Sequence, residues 1–533
     1  MSDVTRVEPG GRAVLFAFDD RSIPWRYRLR LEMHRPEKYV GNPIVARGPA
    51  GAVDERRAQN SPVVHDGERF RMWYIARDDG AGETSPRERE RYEASRGGHG
   101  GISELGTTSD VVHSYDTGRI CCAESDDGFH WRKPDLGIVE YRGSTRNNIC
   151  DVEPGTGSMD VLFQPDAPPE RRYLMVIEFT AWRHLRKPPP LEMPSITRFA
   201  VSPDGYRWTM LQEEPGVVGQ HHEVFCLYRY RDRYHIAGHQ ASPLLYLPLQ
   251  RHPALPYRGP RTMVVWRSPD VDRWPLETCH AFFKPMQSSS PYLTGWDREE
   301  VHMGAYVTPY PNVCLGVCGQ WHHPIAGTPE RPDYRGEEVA VDLGFILSND
   351  GLHFREPAPG FTFLGRDQEL SWDRDWRDNT SRDRMLLEQG PLLNIGGRTV
   401  LYYTAFTPHG NLMGSMSNIG MATLPRERFG SLTPVDGAAY GQAVTDTIQA
   451  RSAARLHANV EIPAGGRVEA ALTDPNGLAE LPGYELDASR ALTASGLDQR
   501  LTWRDRPALP AGAFRLRMRL SGGSRLYALY VDG

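Results

Sequence analysis

The sequence predicts an all-β protein in which a five-bladed β-propeller is followed by a small C-terminal β-sandwich. Three observations predict this fold class. A hairpin motif recurs along the chain, β-rich runs in a constant order surround each copy, and an alternating polar and apolar pattern follows the last unit. A chain of 533 residues exceeds one ordinary domain, and the five blades take up roughly residues 40 to 430 of it.

The recurring motif is Ser-x-Asp-Gly-x-x-Trp or Phe. Its copies begin at Ser125, Ser202, Ser268 (a degenerate copy) and Ser348, so they stand 77, 66 and 80 residues apart. Asp-Gly between two β-rich runs indicates a hairpin because both residues tolerate positive φ. A nearly constant period indicates repeated supersecondary units. The motif is similar to the Asp-boxes of sialidases but one residue shorter, and we assign it a structural role at the outer edge of each blade.

Each of five units contains two β-rich runs, which we predict to be its second and third strands. A first strand precedes them and the motif hairpin leads to a fourth, so each unit has four antiparallel strands. The predicted second strands are residues 69–75, 172–177, 233–237, 313–317 and 398–403, and the predicted third strands are residues 120–123, 196–201, 262–266, 343–347 and 419–423.

Beyond the fifth unit, runs that alternate with period two are separated by Pro and Gly, as expected for a small β-sandwich. The N-terminal run Ala13 to Phe18 can add a strand to either domain. The predicted division is an N-terminal strand segment (1–40), the propeller (41–432) and the sandwich (433–533). A charged, glycine-rich insertion at 79–112 is predicted to be a partly mobile flap, and the aromatic connection at 365–384 to be ordered.

Composition excludes several partners. The net charge of −6 with scattered signs offers no basic stripe for nucleic acid. No apolar leader or run of eighteen apolar residues is present, so we expect a cytoplasmic protein without membrane contact. The seven cysteines are expected to be reduced core residues, with the side chains of Cys121 and Cys122 on opposite faces of a strand. We expect a small-molecule substrate, no cofactor and no metal, because the Cys and His residues lack a paired ligand spacing.

Several short motifs carry a family resemblance. They are Asp19-Asp20, residues 34–38, Asn42-Pro43, residues 66–74, 135–140, 147–149, 165–173, 482–486 and 526–529. On these the chain resembles the five-bladed propeller glycosidases of glycoside hydrolase families 32 and 43, and most of all a bacterial group similar to family 32. The resemblance covers nearly the whole chain. The family 32 motifs Trp-x-Asn-Asp-Pro-Asn, Arg-Asp-Pro and Glu-Cys are absent, so the resemblance implies the fold more strongly than the activity.

The resemblance implies a site at the inner strands, where three carboxylates act as nucleophile or base, as a modulating group and as acid. Each inner strand offers one acid by position: Asp54, Asp160, Glu223, Glu300 and Glu388. We expect Glu223 to be the general acid, because an acid that opens an apolar strand is costly to bury without a partner. Asp54 or Asp160 is the expected base or nucleophile.

Plainer interpretations stand beside these. Asp54 also fits a solvated turn with a surface ion pair, Asp151 and Glu153 compete with Asp160, and Glu388 also fits an ion pair with Arg382 or Arg384. Six further residues are candidate substrate contacts: Arg56, Asn60, Asp151, His222, His302 and Trp321.

Two classes of function follow. The first is a glycoside hydrolase or transglycosylase that acts on a small intracellular glycoside. The second is a reassigned propeller that catalyses a non-hydrolytic step, such as a cyclisation or isomerisation of a secondary metabolite like a polyketide. The absent motifs and export signal favour the second class, and the fold favours the first. A binding propeller without chemistry is a third option.

Overall fold

The computed structural model describes residues 4–78, 118–153, 156–180, 195–211, 223–241, 261–272, 274, 281–283, 301–322, 340–366, 385–409 and 411–533. This part of the chain is all-β, with two short 3-10 turns at Pro169–Arg171 and Leu486–Ala488 beside its strands. Within these ranges, no helix has the length and apolar character needed to cross a membrane.

Five antiparallel units follow one another along the chain, and we call their strands first, second, third and outer. The first, second and third strands of unit 1 are Arg57–Gln59 with Val63–His65, Phe70–Arg77 and Arg119–Ser125, and those of unit 5 are Met385–Ile395, Arg398–His409 and Asn411–Pro425. The first, second, third and outer strands are Thr156–Phe163, Tyr173–Thr180, Ser195–Ser202 and Thr209–Met210 in unit 2, and Glu223–Tyr230, Arg233–Ala241, Arg261–Ser268 and Ala281–Phe283 in unit 3. In unit 4 they are Val301–Pro309, Cys314–His322, Ala340–Ser348 and Thr362–Leu364. The predicted second and third strands are all present.

The first strands contact one another in chain order. A side chain or backbone group of each first strand bonds to the next one, as between Asp160 and Leu227, and between Thr308 and Leu392. Unit 5 returns to unit 1 through a parallel pairing of Ser417 with Arg57. The five units therefore form a closed, propeller-like circle with their first strands innermost, and separate hydrophobic clusters fill the wedges between neighbouring units.

The fifth unit takes its outer strand from the N-terminal part of the chain. Glu37–Lys38 pairs antiparallel with Asn411–Pro425. The Asn42 amide extends this pairing, because its Nδ2 donates to the Met421 carbonyl (2.9 Å) and its Oδ1 accepts from the Met421 N–H (2.8 Å). The two ends of the circle are thus joined by hydrogen bonds within one sheet.

The repeated motif forms an outer turn in each of units 1 to 4, although its geometry differs from the predicted two-residue hairpin. In unit 2 the Oδ1 atom of Asp204 accepts the N–H groups of Tyr206 and Arg207, both at 2.8 Å, and Ser202 Oγ accepts the Gly205 N–H at 2.8 Å. Gly205 has φ +78°, whereas Asp204 is not among the positive-φ residues of the described chain. The aspartate side chain, rather than a left-handed aspartate backbone, therefore holds the turn.

The glycine carbonyl of each complete motif also fastens its unit to a neighbour. It accepts from Trp73 Nε1 in unit 2 (2.7 Å), from the Tyr402 hydroxyl in unit 1 (2.8 Å) and from the Tyr228 hydroxyl in unit 4 (2.6 Å). The predicted structural role of the motif is confirmed by these bonds, which link adjacent units at the circumference.

The C-terminal part forms two sheets that share one hydrophobic core. The first sheet contains Thr5–Val7, Trp25–Tyr27, Tyr440–Val444, Ile448–Ala450, Arg467–Thr473 and Gly512–Ser521, and the second contains Arg12–Phe16, Leu29–Met33, Gly430–Pro434, Arg455–Glu461, Ser489–Arg490, Gly496–Trp503 and Arg525–Asp532. The N-terminal run that was expected to join either domain pairs with Arg525–Asp532 of the second sheet.

The N-terminal segment also ties these sheets to the circle. Phe16 and Phe18 pack against Tyr310, Phe345 and Phe429. The buried Asp19 carboxylate accepts from Ser22 Oγ (2.5 Å), Asn349 Nδ2 (2.8 Å) and Arg355 Nη2 (2.6 Å). Asn349 belongs to the motif of unit 4, and Arg355 directly follows it. The two parts of the molecule therefore share buried polar as well as apolar contacts.

The cysteines lie in the core. Six of them fall within the described ranges, and all six are buried. Cys121 packs in the cluster between units 5 and 1, while Cys122 packs in the cluster between units 1 and 2. Their opposite orientation is as predicted for neighbours in a strand.

Candidate functional site

Register identifies equivalent positions on the first strands of units 1 to 4. In each unit the reference position is the second-strand residue that pairs with the motif serine, and these residues are Phe70, Tyr173, Tyr234 and Cys314. Five residues further on, the second strand pairs with Gln59, Ser158, Glu223 and His302 respectively. We call these four the rim residues.

Three residues beyond the same reference positions, the second strands of units 2, 3 and 4 pair with Asp160, Cys226 and Tyr306 of the first strands. We call these three the floor residues. They lie two register steps from the rim residues, nearer the motif end of the molecule. The first strands therefore carry two successive levels of side-chain positions around the middle of the circle.

The floor is closed by direct bonds across the circle. Asp160 is fully buried, and its Oδ1 accepts from the Tyr306 hydroxyl of unit 4 at 2.7 Å. Its Oδ2 accepts the Leu227 N–H of unit 3 at 2.6 Å, and Oδ1 also accepts the Val161 N–H at 2.8 Å. Burial raises the pKa of the Asp160 carboxyl to about 7, against the opposing effect of these donors. Asp160 thus holds three units together and lies out of reach of a solvent-borne substrate.

Irregular backbone accompanies the rim. The pairing of the first strand is interrupted by bulges between Thr156 and Ser158, between Val224 and Cys226, and between His302 and Ala305. In unit 5 the interruption lies between Glu388 and Leu392. Bulges are frequent next to active sites because they redirect side chains. Here they accompany the first strand of every unit from 2 to 5.

In unit 1 the first strand is interrupted at the same place by a left-handed residue. Asn60 has φ +62°, a conformation that costs a non-glycine residue energy, though Asn tolerates it best. Its Nδ2 donates to the Met159 carbonyl of unit 2 at 3.4 Å. The neighbouring Gln59 Oε1 and Ser61 Oγ are buried atoms without a hydrogen-bond partner among the described residues. Such atoms mark a place where a polar ligand can complete the bonding.

A carboxylate that the sequence interpretation missed stands beside the rim. Glu178 pairs in register with Ser158, whose hydroxyl donates to Glu178 Oε2 at 2.8 Å. Its side chain is 8% exposed. Leu174 and Val176 of the same strand pack in the cluster between units 2 and 3, so alternation places Glu178 on the face toward unit 3, the unit that begins at Glu223. The signal was available, because Glu178 is the lone acid of an apolar run.

Buried charge is concentrated at this same end in unit 1. Arg57 and Arg77 pair across adjacent strands, and both are buried. Asp78, the residue after that strand, accepts the Tyr141 hydroxyl at 2.7 Å and lies 3.5 Å from Arg142. The interior at the rim end of unit 1 is therefore polar.

The structure places Asp54 outside the circle of first strands. Its carboxylate is buried, and Oδ2 accepts from the Tyr74 hydroxyl (2.9 Å) and from Lys133 Nζ (2.5 Å). The alternative of a turn with an ion pair is met in part, because the ion pair with Lys133 is present but the Asp54 carboxylate is buried rather than solvated. Asp160 and Glu223, both offered as acids by position, do not stand at equivalent places on their strands. The bulges shift the register, so that Asp160 lies at the floor and Glu223 at the rim.

The other predicted residues are placed as follows. Arg56 donates its N–H to the Arg77 carbonyl at the rim end. Asp151 is exposed and pairs with Arg207 of the unit 2 motif, which puts it on the outer turn rather than among the first strands. Glu223, His302, Trp321 and Glu388 are described as strand backbone only, with Trp321 on a second strand. Glu300 and His222 lie outside the described residues, as do the insertion at 79–112 and most of 365–384.

No metal centre is found in the described ranges, since no three His, Cys, Asp or Glu residues gather there as a metal site requires. The polar groups at the rim end are instead carboxylate, amide, hydroxyl and guanidinium groups. These groups suit hydrogen bonding to a polyhydroxylated ligand and proton transfer by carboxylates.

Comparisons with known proteins give structural similarity only. No protein-family profile and no curated protein matches the sequence. Similar solved structures are described as a glycosyl hydrolase from Bacteroides ovatus (13% identity, 74% of this chain and 95% of that one, TM-score 0.39) and as RS223 β-xylosidase (12% identity, 73% and 98%, TM-score 0.39). A third is described as belonging to the GH130 family of mannoside phosphorylases and hydrolases (13% identity, 74% and 95%, TM-score 0.40). Scores at this level carry no argument about activity.

Proposed function

We propose that the five units are the blades of a five-bladed β-propeller, and that this propeller is a glycosidase-like enzyme for a small glycoside. The observation that carries the proposal is the rim. Glu223 occupies a rim position at a bulge, and the Glu178 carboxylate faces the unit that Glu223 begins. Two carboxylates on neighbouring blades are what glycoside hydrolysis requires.

The proposal differs from the sequence prediction in the carboxylate that acts together with Glu223 as base or nucleophile. Asp54 is neutralised by Lys133, and Asp160 is enclosed by Tyr306 and Leu227. Neither carboxylate is placed to touch a sugar. Glu178 takes over the role of base or nucleophile, because it is the described carboxylate that stands next to a rim residue.

In this mechanism Glu223 protonates the glycosidic oxygen as the bond to the leaving group breaks. Glu178 either activates a water molecule or attacks the anomeric carbon, according to the separation of the two carboxylates. The Ser158 hydroxyl donates to Glu178 Oε2 and orients the carboxylate for the second role. Gln59 and Asn60 of unit 1 supply hydrogen bonds to sugar hydroxyls.

A panel of aryl glycosides that includes fructofuranosides and arabinofuranosides tests the proposal. At least one should release its aryl alcohol. Glu223→Gln should lower kcat by roughly 100-fold or more, the usual weight of a general acid, and Glu178→Gln should do likewise. Glu68→Gln, at an exposed turn, is the matched control and should leave kcat unchanged. Turnover in the Glu178→Gln variant within a few-fold of the unchanged enzyme would remove Glu178 from the mechanism.

A reassigned propeller that performs a non-hydrolytic step is the second candidate. One observation favours it: of the four rim residues only Glu223 is an acid, and the others are Gln59, Ser158 and His302. A thermal-shift screen of sugars against polyketide-like and terpenoid-like compounds separates the two. A ligand at one hundred times its Kd adds roughly 2.7 kcal/mol of stability, which gives a clear shift. Stabilisation by sugars alone supports the glycosidase, and stabilisation by an apolar metabolite alone supports the second candidate.

A further inference from the structure

A second surface, on the first C-terminal sheet, carries exposed aromatic rings. The described chain has six exposed large hydrophobic residues, and three of them are Trp25 (47% exposed), Tyr27 (40%) and Tyr440 (39%). Trp25 and Tyr27 lie on the edge strand, with near-parallel rings whose centroids are 6.1 Å apart. Exposed aromatic rings that keep one orientation are an interaction surface more often than an accident of composition.

The three rings share one face of the sheet. Tyr27 pairs with Gln442, and Trp25 pairs with Val444, so these side chains point to the same side. Tyr440 stands two residues before Gln442 on its strand and therefore points to that side as well. The opposite face is the core, where Ala443 is buried.

A strained residue supports the edge of this surface. Arg28, directly after Tyr27, has φ +50°, which is unfavourable for a side chain of this size. Its guanidinium lies over the Tyr27 ring, 5.2 Å from the centroid. The chain crosses from the first sheet to the second at this residue. The contact of its guanidinium with the Tyr27 ring is a cation–π contact.

Charges around the rings are already paired. On the neighbouring strands of the same sheet Arg519 bonds Glu469 at 2.8 Å, Arg517 bonds Glu480, and Arg515 lies 3.5 Å from Asp446. Three guanidiniums thus face three carboxylates. A surface balanced in this way attracts neither a polyanion nor a polycation, but it offers many oriented donors and acceptors.

We propose that this face, which we call the aromatic face (Trp25, Tyr27, Tyr440, Gln442 and the paired residues), binds neutral oligosaccharide chains. The C–H side of a sugar ring packs on aromatic rings, while paired guanidinium, carboxylate and amide groups bond its hydroxyls. Protein interfaces deplete charged residues at their centre. The charged pairs directly beside the rings therefore favour a sugar over a protein partner. This binding does not depend on the proposed catalytic function.

Affinity electrophoresis of the full chain in gels that contain neutral arabinan, xylan, mannan or levan tests the proposal. At least one polysaccharide should slow the protein. Trp25→Ala and Tyr27→Ala should each weaken that binding at least tenfold, and Tyr440→Ala should weaken it less. Val40→Ala, at another exposed apolar residue, is the control and should bind normally.

Thermal unfolding of each variant should match the unchanged protein, since the substituted rings are exposed, and aryl glycoside turnover should be unaffected. Normal mobility of the unchanged protein in every gel would overturn the proposal. So would retention that survives Trp25→Ala, or a concentration-dependent dimer that Trp25→Ala abolishes, because the face would then join two copies of the chain. If the protein turns over no aryl glycoside but still binds a polysaccharide, the result would count against the proposed function and not against this binding.

Discussion

At the scale of single residues, burial separates carboxylates that hold the fold from carboxylates that can do chemistry. Asp160 and Glu178 belong to the same unit and face the same neighbour. Asp160 is enclosed by donors from three units, whereas Glu178 stands two register steps nearer the rim beside Ser158. A sequence shows both simply as acids in apolar strands. The distinction needs the register, which depends on bulges that no local sequence signal announces.

Asp160 predicts a pH-dependent stability. Its pKa is raised from 3.8 to about 7 in the folded protein, so the folded state binds the proton more tightly than the unfolded chain. The contribution of Asp160 to the free energy of unfolding is therefore fully present below about pH 4 and is lost as the pH rises toward 7. The shift corresponds to roughly 4 kcal/mol.

Asp160→Asn removes this titration. At pH 4 we expect the variant to be less stable by about 1–3 kcal/mol, because its amide nitrogen cannot accept a backbone N–H. That deficit should shrink as the pH rises above 4 and should reverse by about pH 7 in urea unfolding experiments, because the unchanged protein loses roughly 4 kcal/mol over this range and the variant does not. A deficit that is constant with pH would show that Asp160 does not titrate in this range. At pH 7 the variant should keep its turnover within several-fold, unlike Glu223→Gln.

At the scale of elements, the recurring motif was readable because its bonds are local. The serine, aspartate and glycine of each complete copy bond within six residues of chain, so spacing alone predicted the turns. The prediction that the aspartate has a positive φ was wrong. Its side chain accepts the N–H groups of the turn, so the turn does not need a left-handed aspartate backbone. The link from the motif glycine to the preceding unit spans more than one hundred residues and was invisible in the sequence.

The motif predicts graded stability effects. Asp204 accepts two backbone N–H groups and the Ser202 hydroxyl, and these donors lower its pKa. Asp204→Ala should lower the free energy of unfolding by about 1–3 kcal/mol at neutral pH. Asp270 of the degenerate copy accepts one backbone N–H through its side chain in the described part, so Asp270→Ala should cost less than about 1 kcal/mol. Urea denaturation of the two variants measures the difference, and equal losses would contradict it.

At the scale of the whole molecule, the N-terminal segment joins parts that are distant in the chain. It supplies the outer strand of unit 5, strands to both C-terminal sheets and the buried Asp19. The strand at Arg12–Phe16 was readable from the run Ala13 to Phe18. Its several partners were not, because pairing between chain ends leaves no local pattern.

Asp19 tests this coupling. Asp19→Ala leaves Asn349 and Arg355 without their buried carboxylate and should lower the free energy of unfolding by about 3–5 kcal/mol. Asp20 bonds the same Arg355 from an exposed position, so Asp20→Ala is the matched control and should cost less than about 1 kcal/mol. Far-UV circular dichroism and tryptophan fluorescence should report one shared transition for each variant. A separate early transition in the Asp19→Ala protein would show that the two parts unfold independently.

We propose that substrate binds at the rim, above a floor closed by Asp160. The most direct measurement is a crystal structure of the Glu223→Gln protein with the sugar that the activity panel selects. We expect the sugar to contact Gln59, residue 223 and Glu178, with the Asp160 to Tyr306 hydrogen bond intact beneath it. A sugar bound at the motif end, or one that reaches Asp160 through an opened floor, would contradict the claim.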